Sequence, residues 1–91
     1  AQSLAMLNNP FVLDQAAKWA KRALRVDEPE RIQAMFRTAF QRTPTADERR
    51  QSQSYLNELK DLHAAAPDRE IAVWRDFAHA LLNLKEFLYV R

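Results

Sequence analysis

No glycine occurs anywhere in this 91-residue chain. That absence constrains the fold more than any other feature, because β-hairpins turn most readily through the positive-φ positions that glycine supplies. What remains is rich in alanine, leucine, arginine, glutamine and glutamate, residues that favour helix. Four prolines, Pro10, Pro29, Pro44 and Pro67, cut the chain into segments of helical length. Each stands near the start of an apolar-periodic run, where the missing N–H costs nothing. The expected class is therefore all-α: a small antiparallel helical bundle of four main helices plus a short N-terminal helix, making a single domain over residues 1–91.

Periodicity places the helices. Ser3 to Leu7, with Leu4 and Leu7 on one side, reads as a first helix too short to stand alone, and Asn8 and Asn9 then provide a cap for the next. The second helix, about Pro10 to Arg25, sets Val12, Ala16, Trp19, Ala20 and Ala23 on one face. Asp27 or Glu28 opens the third, in which Ile32, Met35, Phe36, Ala39 and Phe40 follow helical spacing. A capping box, Thr45 with Glu48 three residues on, starts the fourth. Its first turns, Asp47 to Ser54, are almost wholly polar, and an apolar stripe is expected only from Tyr55 through Leu56, Leu59 and Leu62. Asp68 opens the fifth helix, whose stripe of Ile71, Trp74, Phe77, Ala78, Leu81, Leu84 and Leu88 marks it as the centre of the bundle. Trp74, Phe77, Leu81, Phe36 and Phe40 are expected to share one core. The short connections favour antiparallel packing of successive helices.

Composition limits what such a bundle can do. Fifteen of its hydrophobic residues are alanine, leaving 28 larger apolar side chains, enough for one core. A chain of this size buries only about two-thirds of its unfolded surface, so the margin is thin. Charges are interleaved and sum to +2, which offers little of the phosphate neutralisation that drives nucleic-acid binding; none is expected, although Arg42, Arg49 and Arg50 are the residues that would form a patch. The longest apolar runs fall far short of the roughly 20 residues of a membrane span. Zero cysteines leaves no disulfide, thiolate ligand, thiol nucleophile or covalent haem attachment in this segment.

Catalytic constellations are equally scarce. His63 falls near the end of the fourth helix, where the helix dipole favours a cation. His79 lies off the stripe, between Arg75 and Asn83, in a place suited to a hydrogen-bonded structural role. Neither belongs to a metal-binding spacing. Asp27 with Glu28 and Asp47 with Glu48 occupy first helical turns, which their charge already explains. Trp19 and Trp74 would stack sugars if exposed, but both fall on apolar faces. No catalytic residue, metal ligand or cofactor is assigned to this segment.

Three phrases carry a family resemblance: Leu4 to Val12, Arg31 to Phe40 leading into Arg42-Thr43-Pro44-Thr45-Ala46-Asp47-Glu48, and Trp74 through His79, Asn83, Glu86 and Phe87 to Val90, the last being the most specific. Across nearly its whole length the chain resembles the C-terminal part of a planctomycete-associated domain of unknown function, catalogued as number fifteen fifty-three. It departs at Gln41, where the family usually has glycine, and a different helix exit is expected there. The resemblance implies a terminal module of large exported or envelope-associated bacterial proteins that often carry a cytochrome-c-type domain nearer their N-terminus. Any haem would belong to that other domain. No reaction or ligand attaches to the family, so it transfers structural residues alone: Arg42, Pro44, Thr45, Glu48, Trp74, His79, Asn83, Glu86 and Phe87.

The chain begins at Ala1, without a start methionine, and is expected to be a C-terminal fragment of a longer protein. Its expected role is structural: a non-catalytic helical module that contacts other domains of the same chain or other proteins. The alternative is a carbohydrate-binding or substrate-positioning helper in a polysaccharide-processing protein. In the run Asn83 to Val90, Phe87 or Leu88 is expected to dock between the N-terminal helix and the third, with Asn83 or Glu86 bonding backbone at a bend. Truncation after Leu82 should then cost several kcal/mol in a denaturant melt, as expected for losing two or three buried large side chains, whereas unchanged stability would rule out such a clasp.

Overall fold

The structure, a computed structural model, describes residues 9–90 and the side chains of residues 9–85. These residues form four α-helices and no strand: α1 (Pro10–Ala23), α2 (Glu28–Phe40), α3 (Ala46–Leu62) and α4 (Arg69–Val90). The short N-terminal helix expected from Ser3 to Leu7 lies outside the described residues.

Local chemistry sets each helix start. Asn9 caps α1 with its side-chain oxygen, which accepts the Val12 N–H at 2.9 Å, and Pro10 fills the first helical position. Asp27 precedes α2 without capping it through its side chain, but Glu28 and Glu30 in the first turn complement the dipole. Thr45 and Glu48 close the expected capping box on α3. The Asp68 carbonyl accepts the Ala72 N–H at 3.0 Å and so begins the α4 ladder.

Helix α4 packs on each of the other three, and its most extensive contact is with α1. Neighbours in sequence therefore pack mainly through α4. One core joins Ala16, Trp19, Ala20 and Ala23 of α1 to Ile32, Met35, Phe36 and Ala39 of α2, Leu56 and Leu59 of α3, and Val73, Trp74, Phe77, Ala78 and Leu81 of α4. Phe40 sits at its edge, half-buried, 5.4 Å from the Phe36 ring. Trp74 meets Phe77 edge to face at 5.5 Å and 79°, an arrangement that suits the ring quadrupoles.

Several positions depart from the expected stripes. Leu62 and Leu84 are exposed, at 72% and 53%, although their spacing puts them on the apolar stripes. Ser52 is buried at 8% and carries the α3 contact one turn further forward than the apolar pattern indicates. Ala72 and Val73 are buried as well, since a central helix is covered on more than one side. Asn83 does not interrupt α4: its Nδ2 donates to the His79 carbonyl one turn back at 2.8 Å, and the helix runs on to Val90. The side chains of Glu86, Phe87 and Leu88, on which the expected clasp depends, lie outside those described.

The exit from α2 corrects another expectation. Gln41 adopts the left-handed conformation, φ 60° and ψ 34°, and its N–H bonds the Arg37 carbonyl at 2.9 Å. The αL cap that glycine makes easily is thus kept, with a glutamine bearing the Cβ clash.

Arg31 is buried at 5% although charged. Its Nε donates to the Ala23 and Val26 carbonyls at 2.9 and 3.0 Å, and Nη2 donates to Val26 at 2.7 Å. Its guanidinium lies 4.9 Å from the centre of the Trp74 ring. Among the described residues Nη1 has no hydrogen-bond acceptor, and it faces the Glu70 carboxylate at 3.8 Å. One side chain thereby satisfies carbonyls at the end of α1, extends from α2 and covers the aromatic centre of α4.

Replacing Arg31 with methionine keeps much of the apolar stem but strips those carbonyls of a charged donor. It should destabilise the fold by on the order of 3 kcal/mol in a denaturant melt. Gln41→Gly should act oppositely, raising stability by about 1 kcal/mol as the backbone clash is relieved.

Candidate functional site

The corner between α2 and α3 holds the densest set of residues singled out in the sequence. Phe40 ends α2, Gln41 turns the chain, and Thr43 and the half-buried Pro44 lead into the Thr45 cap. The Thr45 Oγ1 accepts the Glu48 N–H at 3.1 Å, and the Glu48 carboxylate accepts the Thr45 N–H at 2.9 Å. Arg42 then adds a fork: Nη1 and Nη2 donate to the two Glu48 oxygens at 2.7 and 2.8 Å. Nη1 also reaches the Thr43 carbonyl at 3.2 Å, and the guanidinium lies 5.7 Å from the Phe40 ring. The bidentate Arg42 and the Thr45 N–H together hold the Glu48 carboxyl down at about 2, and the same hydrogen bonds to Glu48 in turn raise Arg42.

Beside this corner lies a groove of about 420 Å³. Phe36, Phe40, Tyr55, Phe77, Leu81 and Leu84 supply its apolar surface, while Arg42, Glu48 and Gln51 stand among its polar residues. The Tyr55 ring packs 6.3 Å from Phe77. Burial pushes its hydroxyl above the usual phenol range, with the Asp76 and Glu58 charges adding to the effect. A second cleft of about 420 Å³ opens among Glu28, Lys60, Pro67, Arg69, Glu70 and Trp74. At its side Lys60 donates to Glu28 at 2.8 Å, which lowers the Glu28 carboxyl below its ordinary range.

Other sequence candidates take structural places. Trp74 and Trp19 are both buried in the core, at 2% and 7%. His79 is half-buried, and its carbonyl receives Asn83. His63 terminates α3, its N–H bonding the Leu59 carbonyl, while its Nε2 lies 2.7 Å from Asp76 Oδ2 on α4. Of the three arginines considered as a patch, Arg42 pairs with Glu48, Arg50 with Asp47, and Arg49 reaches Gln33 at 3.4 Å. Glu86 and Phe87 contribute backbone to α4, with their side chains outside the described set. Among the described residues no group of three or more histidine, aspartate or glutamate side chains could hold a metal ion, and no helix is long and apolar enough to cross a membrane.

Sequence reasoning missed Arg31 and Ser52, and in both cases the signal was spacing. Arg31 precedes Met35 by four residues, and Ser52 precedes Leu56 by four, so each extends a core stripe by one turn despite its polarity.

Two measurements probe the corner. Thr45→Ala should lower stability by about 1 kcal/mol by freeing the Glu48 N–H. The depressed Glu48 carboxyl contributes stability that is fully present above the model-peptide value of 4.5 and is lost as pH falls toward about 2. Acid unfolding followed by circular dichroism should therefore lose part of its slope between those limits in Glu48→Gln, and an unchanged acid limb would contradict the pairing.

Comparison with known proteins adds a family. The family described as PSD1, protein of unknown function (DUF1553), matches residues 1–56, which include the opening phrase and the Arg42 to Glu48 corner. The Trp74 to Val90 phrase, read above as the most specific part of the resemblance, lies outside the matched residues. No curated protein and no solved structure matches the chain. Since the match spans more than half of its residues, the chain belongs to the PSD1 family of proteins of unknown function (DUF1553).

Proposed function

We propose that this chain is a non-catalytic helical module that packs against, or presents, the rest of a multidomain bacterial protein of the exported or envelope class. The observation that carries the reading is the use made of its charged groups. Arg42 with Glu48 fixes a turn and a cap, Lys60 with Glu28 links α3 to α2, His63 with Asp76 links α3 to α4, and Arg31 joins three helices. Chemistry elsewhere assigned to catalysis is here committed to holding helices in place. The exported setting, the planctomycete association and the neighbouring cytochrome-c-type domain rest on the resemblance. Engagement of Arg42 and Arg50 with carboxylates supports the absence of a nucleic-acid role.

Phe11 and Leu62, exposed at 71% and 72%, are the apolar side chains best placed to meet a neighbouring domain. Mixing the 91-residue chain with the separately expressed remainder of its parent polypeptide should give a one-to-one complex by calorimetry. Phe11→Asp and Leu62→Asp should weaken it at least tenfold while leaving the melt of the isolated chain unchanged. Failure to associate, with both parts folded, would defeat the proposal.

Carbohydrate binding is a second reading, favoured by the half-buried Phe40 and Tyr55 rings beside Arg42, Glu48 and Gln51 in one groove. Saturable shifts of the Tyr55 ring resonances on titration with xylohexaose would support it, and their absence would count against it.

A further inference from the structure

We propose that the cleft where the start of α2, the end of α3 and the start of α4 meet is a binding site for a carboxylate, received by the buried Arg31 guanidinium beneath it and by Lys60 and Arg69 at its sides. The cleft measures about 420 Å³, and Glu28 of α2, Lys60 of α3 and Arg69, Glu70 and Trp74 of α4 line it.

The observation that points to a ligand is the unused side of Arg31. Its side chain is 6% exposed, with Nε and Nη2 occupied by the Ala23 and Val26 carbonyls. Nη1 carries two further N–H groups, and among the described residues it has no acceptor. A charged donor buried in that condition is costly, because it has given up water without gaining a partner. Nη1 lies on the side of the cleft: the carboxylate 3.8 Å from it belongs to Glu70, and the ring 4.9 Å from the guanidinium carbon belongs to Trp74, both of which line that space. Glu70 faces Nη1 without a hydrogen bond to it. Its side chain is 69% exposed, so it is free to swing aside with no change in the backbone.

Charge decides what kind of ligand fits. Arg31, Lys60 and Arg69 bring three cations to this place against the two carboxylates of Glu28 and Glu70, so one more monovalent anion balances the set and a doubly charged phosphate overshoots it. Lys60 uses one of its three N–H groups on Glu28 at 2.8 Å, and Arg69 has no ion pair or hydrogen bond among the described residues. The first turn of α4, where Arg69 and Glu70 stand, adds the positive end of a 22-residue helix. Pro67, Val73 and Trp74 offer apolar surface to the stem that carries the carboxylate.

The inference is independent of the module role, which would survive its failure. Its test is titration of the 91-residue chain with sodium propionate, exchanged for sodium chloride at constant ionic strength and followed by the Arg31 Nε–H and Trp74 indole N–H resonances. Both should shift saturably, and neither should respond to propionamide, the neutral isostere. Arg69→Gln should weaken binding about threefold, and Glu70→Gln, which removes the competing carboxylate, should tighten it by about as much, with both variants folded. A blocked Leu-Asp-Leu tripeptide separates the sources of the carboxylate: binding about tenfold tighter than propionate assigns the site to an acidic side chain of a partner protein, and equal or weaker binding assigns it to a free acid. The absence of a saturable shift in both the intact chain and Glu70→Gln would overturn the proposal. So would an affinity untouched by Arg69→Gln and Glu70→Gln, which would put the carboxylate elsewhere on the molecule.

Discussion

The contact between the Arg31 guanidinium and the Trp74 ring is the interaction on which the arrangement of helices depends. A buried cation is costly unless its donors are used, and Arg31 uses them on the Ala23 and Val26 carbonyls at and just beyond the end of α1. The same group lies over the Trp74 ring, 4.9 Å from its centre, close enough to gain from the ring's negative face. Because Arg31 stands on α2, Ala23 ends α1 and Trp74 belongs to α4, one side chain fixes the mutual position of three helices. Leucine or methionine there would fill space but would specify neither the end of α1 nor the orientation of the indole.

The corner between α2 and α3 uses charge differently. Its groups are exposed, so the ion pair alone would contribute little. Geometry gives it a role: Glu48 is already oriented by the Thr45 cap, and Arg42 meets both of its oxygens. Gln41, held at positive φ, aims Arg42 toward that carboxylate. Backbone strain, cap and ion pair thus stand within eight consecutive residues, and each restricts the freedom of the next.

The sequence disclosed the helices and most of the core because both follow from a 3.6-residue period that glycine and proline do not interrupt. Thr45 and Glu48 were equally legible, since a capping box is a local pattern. Spacing alone put Arg31 on the core stripe, but what its charge would pair with was not legible, because Ala23, Val26 and Trp74 are brought to it only by tertiary packing. Leu62 and Leu84 fail for the converse reason: their spacing is right, but a helical period alone does not say which apolar residues find a neighbour in the packed bundle. The pairing of His63 with Asp76, and the groove lined from three helices, were beyond reach for the same cause.

Packing of every other helix on α4 separates two kinds of boundary. The family match stops at residue 56, inside α3, whereas the residues that close the core, from Val73 to Leu81, come later in the chain. A polypeptide ending where the family similarity ends would carry α1, α2 and part of α3 with their apolar faces directed at a missing helix. During synthesis the first three helices can form only provisional local structure, and cooperative folding must wait until α4 is available. The span matched by the family and the set of helices that closes the core are different lengths of chain.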